Sequence, residues 1–152
     1  MNKRRQFLSQ ITALLVAGPL VARAEATDPL VQVYKSATCG CCSKWVDHLR
    51  AAGFTVEATN VPDVNLYKLE YGLPAQLASC HTAIVEGYVV EGHVPADDVI
   101  KMLRQQPAIK GIAVPGMPLG SPGMESPNPE RYETIAFDAD GKTTVFAVHA
   151  PE

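Results

Sequence analysis

The sequence predicts an α/β fold in which a small mixed β-sheet is covered by helices on both faces. The 152-residue length fits a single domain. Alternating apolar residues over Leu30–Tyr34 are typical of a strand. The apolar residues that follow are spaced i, i+3, i+4 and i+7, which is typical of an amphipathic helix; they are Cys42, Trp45, Val46 and Leu49. Gly53 stands where the C-terminal cap of this helix is expected.

Further strands and helices alternate with these first two elements. The pattern predicts a strand at 54–58, a helix at 64–71 capped by Asp63, a hairpin of strands 82–85 and 88–90, and a helix that opens at Pro95 and ends near Pro107. The resulting order, β-α-β-α-β-β-α, is that of the thioredoxin and glutaredoxin core. We therefore expect a thioredoxin-like core.

Two further segments follow this core. Residues 111–129 are rich in Gly and Pro and predict a loop that contains Met117 and Met124. Strands at 132–137 and 143–148, turned at 138–141, predict a final hairpin that either extends the sheet or covers the loop. Residues 29–150 then form a single domain.

The first 24 residues resemble a secretory signal peptide. A basic start at Lys3, Arg4 and Arg5 precedes an apolar stretch at 11–21, which is too short for a comfortable membrane span. Residues 22–24 form an A-x-A cleavage signal, and 24–26 form a second choice. The run at 4–8 also resembles a twin-arginine export signal. An ordinary secretory signal and an uncleaved anchor are the alternatives. We expect a periplasmic protein with no stable membrane span after cleavage.

The charge balance argues against nucleic-acid binding. Cleavage after Ala24 removes four of the 13 basic residues and no acid, which leaves nine basic against 16 acidic residues and a net charge of −7. An acidic chain without a basic run is a poor partner for a phosphate backbone. We therefore expect no nucleic-acid partner.

Three cysteines cluster at the predicted start of the first helix, at Cys39, Cys41 and Cys42. Free N–H groups and the positive end of the helix dipole stabilise thiolates there. Such thiols suit disulfide exchange through the C-x-x-C pair Cys39 and Cys42, and they equally suit binding of a soft metal ion.

A fourth thiol, Cys80, precedes the third predicted strand. In the predicted fold this loop faces the three-cysteine turn. Thioredoxin-like oxidoreductases usually place a cis-proline in this loop, but the chain has no proline between Pro74 and Pro95, and His81 stands at about that place. The departure argues against ordinary disulfide exchange and leaves the thiols available to a metal.

The donor set favours Cu(I). Four thiolates suit tetrahedral zinc, but the crowded C-x-C-C spacing suits thiolates that bridge several ions. Met117 and Met124 add soft thioethers that favour Cu(I) over zinc. Zinc and pure disulfide chemistry remain the alternatives. Structural disulfides alone are disfavoured because adjacent Cys41 and Cys42 would form a strained pair.

Five segments of the chain match a known family in order. They are Cys39–Cys42 followed by Trp45, Cys80–Thr82, Gly87–Pro95, Gly111–Pro118 and Gly120–Glu125. These motifs resemble those of the periplasmic CopG-type copper-resistance proteins, a thioredoxin-like metal-binding family known as a domain of unknown function. The resemblance covers about residues 31–146.

The resemblance implies a thioredoxin-like fold and a multinuclear Cu(I) cluster held by Cys39, Cys41, Cys42 and Cys80. It further implies a role in copper resistance, possible interconversion of Cu(I) and Cu(II), and other periplasmic copper-handling proteins as partners. Whether the chain is an enzyme stays open, and the runner-up function is a thioredoxin-like thiol-disulfide oxidoreductase.

Four other side chains are candidate ligands on weaker grounds. Met117 and Met124 either ligate copper or anchor their loop. His81 and His93 adjoin the matched motifs and either ligate copper or are ordinary loop and strand-end residues. We expect Trp45 to shield the site by packing, His48 to lie on a solvated helix face, and Glu91 to be a surface charge.

Overall fold

The computed structural model describes residues 29–151 as one mixed seven-stranded sheet with three α-helices. The predicted signal peptide at 1–24 lies outside these residues. The elements are β1 Leu30–Lys35, α1 Gly40–Ala51, β2 Thr55–Asn60, α2 Val64–Glu70, a 3-10 turn Ala75–Leu77, β3 Thr82–Val85, β4 Tyr88–Gly92, α3 Ala96–Gln105, β5 Gly111–Val114, β6 Tyr132–Phe137 and β7 Thr143–His149.

The strand order is β2-β1-β3-β4-β5-β6-β7. β1 runs parallel to β2, and β4 runs parallel to β5, whereas the other neighbouring strands are antiparallel. The mixed α/β class is therefore confirmed, and the final hairpin extends the sheet. None of the helices within residues 29–151 has the length and apolar character that crossing a bilayer needs.

One predicted loop boundary is wrong. Residues 111–114 form β5 in the middle of the sheet and not the start of a loop. All four are buried, because β5 is covered on both faces and pairs with β4 and β6. A strand of four buried residues shows no alternation of polar and apolar residues, so the sequence pattern does not predict it as a strand. The order therefore departs from the predicted core after α3, and a thioredoxin-like core stays a prediction.

Two apolar clusters lie on opposite faces of the sheet. The larger includes Trp45 and Leu49 of α1 and Val99 and Met102 of α3. The smaller includes Leu73 and Leu77, which follow α2 along the chain. Helices on both faces match the expectation from the alternating elements. The loops that leave β1 and enter β3 meet at one end of this sheet, and all four cysteines lie there.

Candidate metal centre

Residues Cys39–Cys42, named here the thiol turn, form the start of α1. Cys39 is the N-cap, and its Sγ accepts the backbone N–H of Cys42 at 3.3 Å. A sulfur atom thus occupies the position that Ser or Asp oxygen usually takes. The spacing places Cys42 on the buried face of the helix, whereas Cys39 and Cys41 are partly exposed. The turn therefore presents sulfur both to the interior and to the surface.

Cys39 and Cys42 are joined by a disulfide, with their Cα atoms 5.3 Å apart. This is the pair that the oxidoreductase interpretation predicts. Cys41 and Cys80 carry free thiols. Cys41 Sγ lies 3.5 Å from Cys39 Sγ, so a third sulfur stands beside the disulfide.

Cys80 faces the thiol turn, as the topology predicts. Cys42 Sγ lies 3.9 Å from the backbone oxygen of Cys80, and the Sγ atoms of all four cysteines lie within 4.8 Å of one another. The four sulfurs therefore form one compact group, although Cys80 is 38 residues from Cys42 in the chain.

His81 and His93 contact Cys80 and are fully buried. We name Cys80, His81 and His93 the Cys80 pocket. His93 Nε2 lies 2.9 Å from Cys80 Sγ, and His81 Nδ1 lies 3.3 Å from the same atom. The two ring nitrogens and the sulfur lie within 4.8 Å of one another and form a second donor group that shares Cys80 with the first.

A backbone carbonyl fixes the tautomer of His93. Its Nδ1 lies 2.8 Å from the oxygen of Pro122. Because a carbonyl only accepts, Nδ1 carries the proton and Nε2 directs a lone pair toward Cys80. Burial lowers the pKa of His93, and the bond to Pro122 only partly opposes this shift. A neutral imidazole of this kind is a competent metal ligand.

His81 is held by packing more than by hydrogen bonds. Its ring packs against Trp45 at a centroid distance of 4.4 Å. Among residues 29–151, its Nε2 is the buried side-chain nitrogen or oxygen that has no hydrogen-bond partner. Burial lowers the pKa of His81 well below its usual value. The neutral imidazole directs Nδ1 toward the Cys80 thiol, where this nitrogen is available to a cation.

The Gly/Pro loop covers the site from the other side. Gly123 has a φ of +86°, and a Cβ there would meet the Cys41 oxygen at 2.6 Å and His93 Nδ1 at 3.3 Å. Only glycine allows the loop to approach the thiol turn and the pocket this closely. Met124 follows at once and is half-buried. Met117, in contrast, is 53% exposed, which argues against a role as an anchor buried in the core.

Burial raises the pKa of the Cys80 thiol to about 11, and the hydrogen bond from Ser79 opposes this shift. The sequence led us to expect stabilised thiolates at the helix start, but burial has the larger effect on Cys80 and favours its protonated form. A coordinating thiol loses its proton to the metal, so Cys80 favours a cation as its partner over disulfide exchange.

Two expectations about polar residues are wrong. Glu91 is fully buried, not a surface charge. It pairs with Lys68 at 2.5 Å and accepts the hydroxyl of Thr82 at 2.7 Å. His48 is half-buried, and its Nε2 accepts the backbone N–H of Ala96 at 3.0 Å. Both residues face inward because a neighbouring element supplies a partner that the local pattern does not reveal. Trp45 is buried as expected and donates its indole N–H to the Val94 oxygen at 2.8 Å.

Sequence reasoning missed Lys68, Ser79 and Pro122. Lys68 is buried because it pairs with Glu91, which lies on another element. Ser79 and Pro122 act through hydrogen bonds to the pocket and its neighbours. The position of Ser79 directly before Cys80 is only a weak indication of its role. Pro122 acts through its backbone carbonyl, which the sequence does not reveal.

Comparisons with known proteins bear on this site. A family model described as "Protein of unknown function, DUF411" matches residues 77–124, which include the Cys80 pocket and both loop methionines but not the thiol turn. No curated protein sequence matches.

Two solved structures named copper resistance protein CopG match over most of the chain. Form 1 is 40% identical with a TM-score of 0.78 and covers 82% of this chain and 100% of its own. Form 2 is 40% identical with a TM-score of 0.77 and covers 81% and 99%. The chain therefore belongs to the CopG family of copper-resistance proteins.

Proposed function

We propose that this protein binds copper as Cu(I) in a multinuclear cluster held by Cys39, Cys41, Cys42 and Cys80, in the service of copper resistance. The observation that supports it most is the grouping of four sulfur atoms within 4.8 Å. Soft thiolates favour Cu(I), and sulfur atoms this close suit bridging between ions. The name of the two matching structures, copper resistance protein, points to the same metal.

Full occupancy requires reduction of the Cys39–Cys42 disulfide. Two electrons and two protons from an external dithiol convert it to two thiols, and the dithiol becomes a disulfide. The oxidised chain keeps the free thiols of Cys41 and Cys80. Its capacity for Cu(I) is therefore lower than that of the reduced chain.

The Cys80 pocket supports a second part of the proposal, the interconversion of Cu(I) and Cu(II). Imidazole nitrogen suits Cu(II) better than an all-thiolate set does, and His81 and His93 place neutral nitrogens beside Cys80. Cys80 belongs to both donor groups. Each interconversion moves one electron to or from an external redox partner.

Met117 and Met124 are proposed as thioether donors from the covering loop. Gly116 accepts a hydrogen bond from the Ser79 hydroxyl, which places the residue before Met117 beside the Cys80 segment. Gly123, the residue before Met124, packs against Cys41. Thioethers without charge suit Cu(I).

The proposed setting is the periplasm, with residues 1–24 removed as a signal peptide and other copper-handling proteins as partners. A thioredoxin-like core for residues 29–105 belongs to the same proposal. It is supported by the order β1-α1-β2-α2-β3-β4-α3 and by the thiol turn at the start of α1. N-terminal sequencing of the exported protein tests the cleavage, which we expect after Ala24.

Anaerobic titration of the reduced protein with Cu(I) tests the cluster. We expect saturation above one copper ion per chain, with competition by a Cu(I) chelator to confirm tight binding. The matched control is the same protein with the Cys39–Cys42 disulfide intact, which should saturate at a lower value. Saturation of the reduced chain at one ion or none would contradict a cluster.

A second candidate function is thiol-disulfide exchange, which the Cys39–Cys42 disulfide at the start of α1 favours. It predicts that the reduced protein reduces insulin and that Cys80→Ser has little effect on the rate. If Cys80→Ser abolishes copper binding and insulin is not reduced, exchange is excluded as the main activity.

A further inference from the structure

A buried carboxylate lies directly behind the Cys80 pocket. Glu91 is on β4, on the sheet face that α2 covers, and its side chain is fully buried. Its Oε1 pairs with Lys68 Nζ of α2 at 2.5 Å, and Lys68 also donates to the Thr82 hydroxyl at 3.1 Å. The Lys68 side chain is only 9% exposed. Both charges are therefore removed from water and depend on each other.

The carboxylate holds both ends of the segment that carries the pocket. Glu91 Oε1 accepts the backbone N–H of Ser79 at 2.6 Å, and Oε2 accepts the hydroxyl of Thr82 at 2.7 Å. Ser79 and Thr82 flank Cys80 and His81 in the chain. One side chain on β4 thus fixes the residues immediately before and after the thiol and its neighbouring imidazole.

The residues that follow Glu91 depend on the same arrangement. Gly92 has a φ of +71°, and a Cβ there would meet Ser79 Oγ at 2.5 Å. Because Gly92 has no side chain, β4 can end in contact with Ser79. The Ser79 hydroxyl donates to the Gly116 oxygen of the covering loop. His93 comes next and contacts Cys80 Sγ. The end of β4 therefore joins the Cys80 segment, the second imidazole and the loop.

A buried ion pair is a poor means of adding stability, because the loss of hydration offsets most of the attraction between its charges. Apolar residues of similar volume usually serve a core as well or better. The carboxylate does what an apolar residue does not do, because it accepts two hydrogen bonds from the residues on either side of the pocket.

We propose that Glu91, with Lys68 as its counter-ion, is a positioning residue that fixes Cys80 and His81 relative to the thiol turn. It does not contact the metal ligands themselves and acts through Ser79 and Thr82. The functional part of this inference rests on the proposed copper site, whereas the positional part is independent of any metal.

Two variants separate positioning from stability. Glu91→Met combined with Lys68→Met removes both charges together, so no buried charge is left unpaired, but Ser79 and Thr82 lose their acceptor. Glu91→Gln keeps an oxygen acceptor for Ser79 but leaves Lys68 unpaired, so stability falls while the segment stays placed. Asp98→Asn is the matched control, since Asp98 is a buried acid bonded to Thr134 and His149 and not to the Cys80 pocket.

Two measurements are made on each reduced variant, at a temperature where each is folded. Hydrogen exchange of residues 78–82 in metal-free protein should speed up in the double variant and stay unchanged in Asp98→Asn. Affinity for Cu(I), from competition with a chelator, should fall about 10- to 100-fold in the double variant, as for other residues that orient metal ligands. Glu91→Gln should lose less affinity than the double variant, because it keeps an oxygen acceptor for Ser79.

The outcomes are distinct. If residues 78–82 exchange hydrogen in the double variant as slowly as in wild type, the positioning role is overturned, whatever the Cu(I) affinity. If exchange is faster in the double variant but its Cu(I) affinity equals that of wild type, Glu91 has no positioning role in copper binding. The same conclusion follows if Asp98→Asn loses as much Cu(I) affinity as the double variant. If no variant and no wild-type chain binds Cu(I), the proposed function fails, whereas the exchange result still decides the positional claim. If Glu91→Gln does not fold, the double variant and Asp98→Asn suffice.

Discussion

The thiol turn and the Cys80 pocket supply sulfur to the same group, but they are built in opposite ways. The thiol turn consists of consecutive residues at the start of one helix, is partly exposed and is held by local bonds such as Cys42 N–H to Cys39 Sγ. The pocket is assembled from the start of β3, the end of β4 and a distant loop, and its two imidazoles are fully buried. A local motif thus provides soft donors, and the tertiary fold determines which further donors join them.

The largest expected difference between the two regions is in the free energy of unfolding. Glu91→Gln leaves the Lys68 ammonium buried without its counter-charge, and breaking a buried pair in this way costs about 3–5 kcal/mol. Urea denaturation of the reduced, metal-free protein measures the loss.

The matched control is Lys44→Gln, which removes the ion pair between α1 and Glu125 of the covering loop. Its partners lie 4.0 Å apart with side chains 69% and 67% exposed, so we expect a loss of at most about 1 kcal/mol. Equal losses of stability in Glu91→Gln and Lys44→Gln would contradict the prediction that the buried Glu91–Lys68 pair matters more to stability than the exposed Lys44–Glu125 pair.

Trp45 joins the two regions, and its replacement should have an intermediate effect. Trp45→Phe keeps an aromatic ring in the core but leaves the Val94 oxygen without its 2.8 Å donor. An unsatisfied buried carbonyl costs about 1–3 kcal/mol. Thermal unfolding measures the loss, and Tyr88→Phe, which removes a partly buried hydrogen bond to the Pro107 oxygen, is the control. A loss no greater than that of Tyr88→Phe would show that the Val94 bond contributes little.

The smallest expected effect concerns pH on the side of the thiol turn. Burial lowers the pKa of His48, whose neutral ring accepts the N–H of Ala96. A lowered pKa means that the unfolded chain binds the proton more tightly. The stability that neutral His48 provides is therefore complete above pH 6.5 and is lost as pH falls through the lower folded-state pKa.

Urea midpoints of wild type and His48→Gln at pH 7.5 and pH 5.5 test this prediction. We expect a smaller drop between the two pH values in the variant. Wild type should keep the larger drop. Burial also lowers the pKa values of His81 and His93, but both residues are present in the two proteins and contribute equally to each drop. Identical drops would contradict a role for His48.

The contrast between the two regions also explains how much the sequence predicts. The thiol turn, the helix that starts there and the hairpin at Glu86-Gly87 follow from spacing and turn chemistry over a few residues. The facing position of Cys80 follows from the element order. In contrast, the loop prediction for residues 111–114 is wrong because a four-residue buried strand carries no periodicity. The surface prediction for Glu91 is wrong because its partner, Lys68, lies on another element and the local pattern does not reveal it.

The fixed tautomer of His93 depends on a backbone oxygen, which no side-chain pattern encodes. The sequence also gives no sign that the ring of His81 packs against Trp45. Residues whose partners are distant in the chain therefore mark the limit of prediction from a single sequence. The proposed metal ligands include residues of both kinds.

In the proposed function, Cys80 and the thiol turn form one copper-binding unit. Copper per chain, measured by elemental analysis of reduced, Cu(I)-loaded protein after desalting, tests it most directly. The proteins compared are wild type, Cys80→Ser and the control Met102→Leu, which removes a buried sulfur of α3 that belongs to neither donor group. We predict more than one copper per wild-type and Met102→Leu chain and a clear fall in Cys80→Ser. An unchanged copper content in Cys80→Ser would contradict the claim.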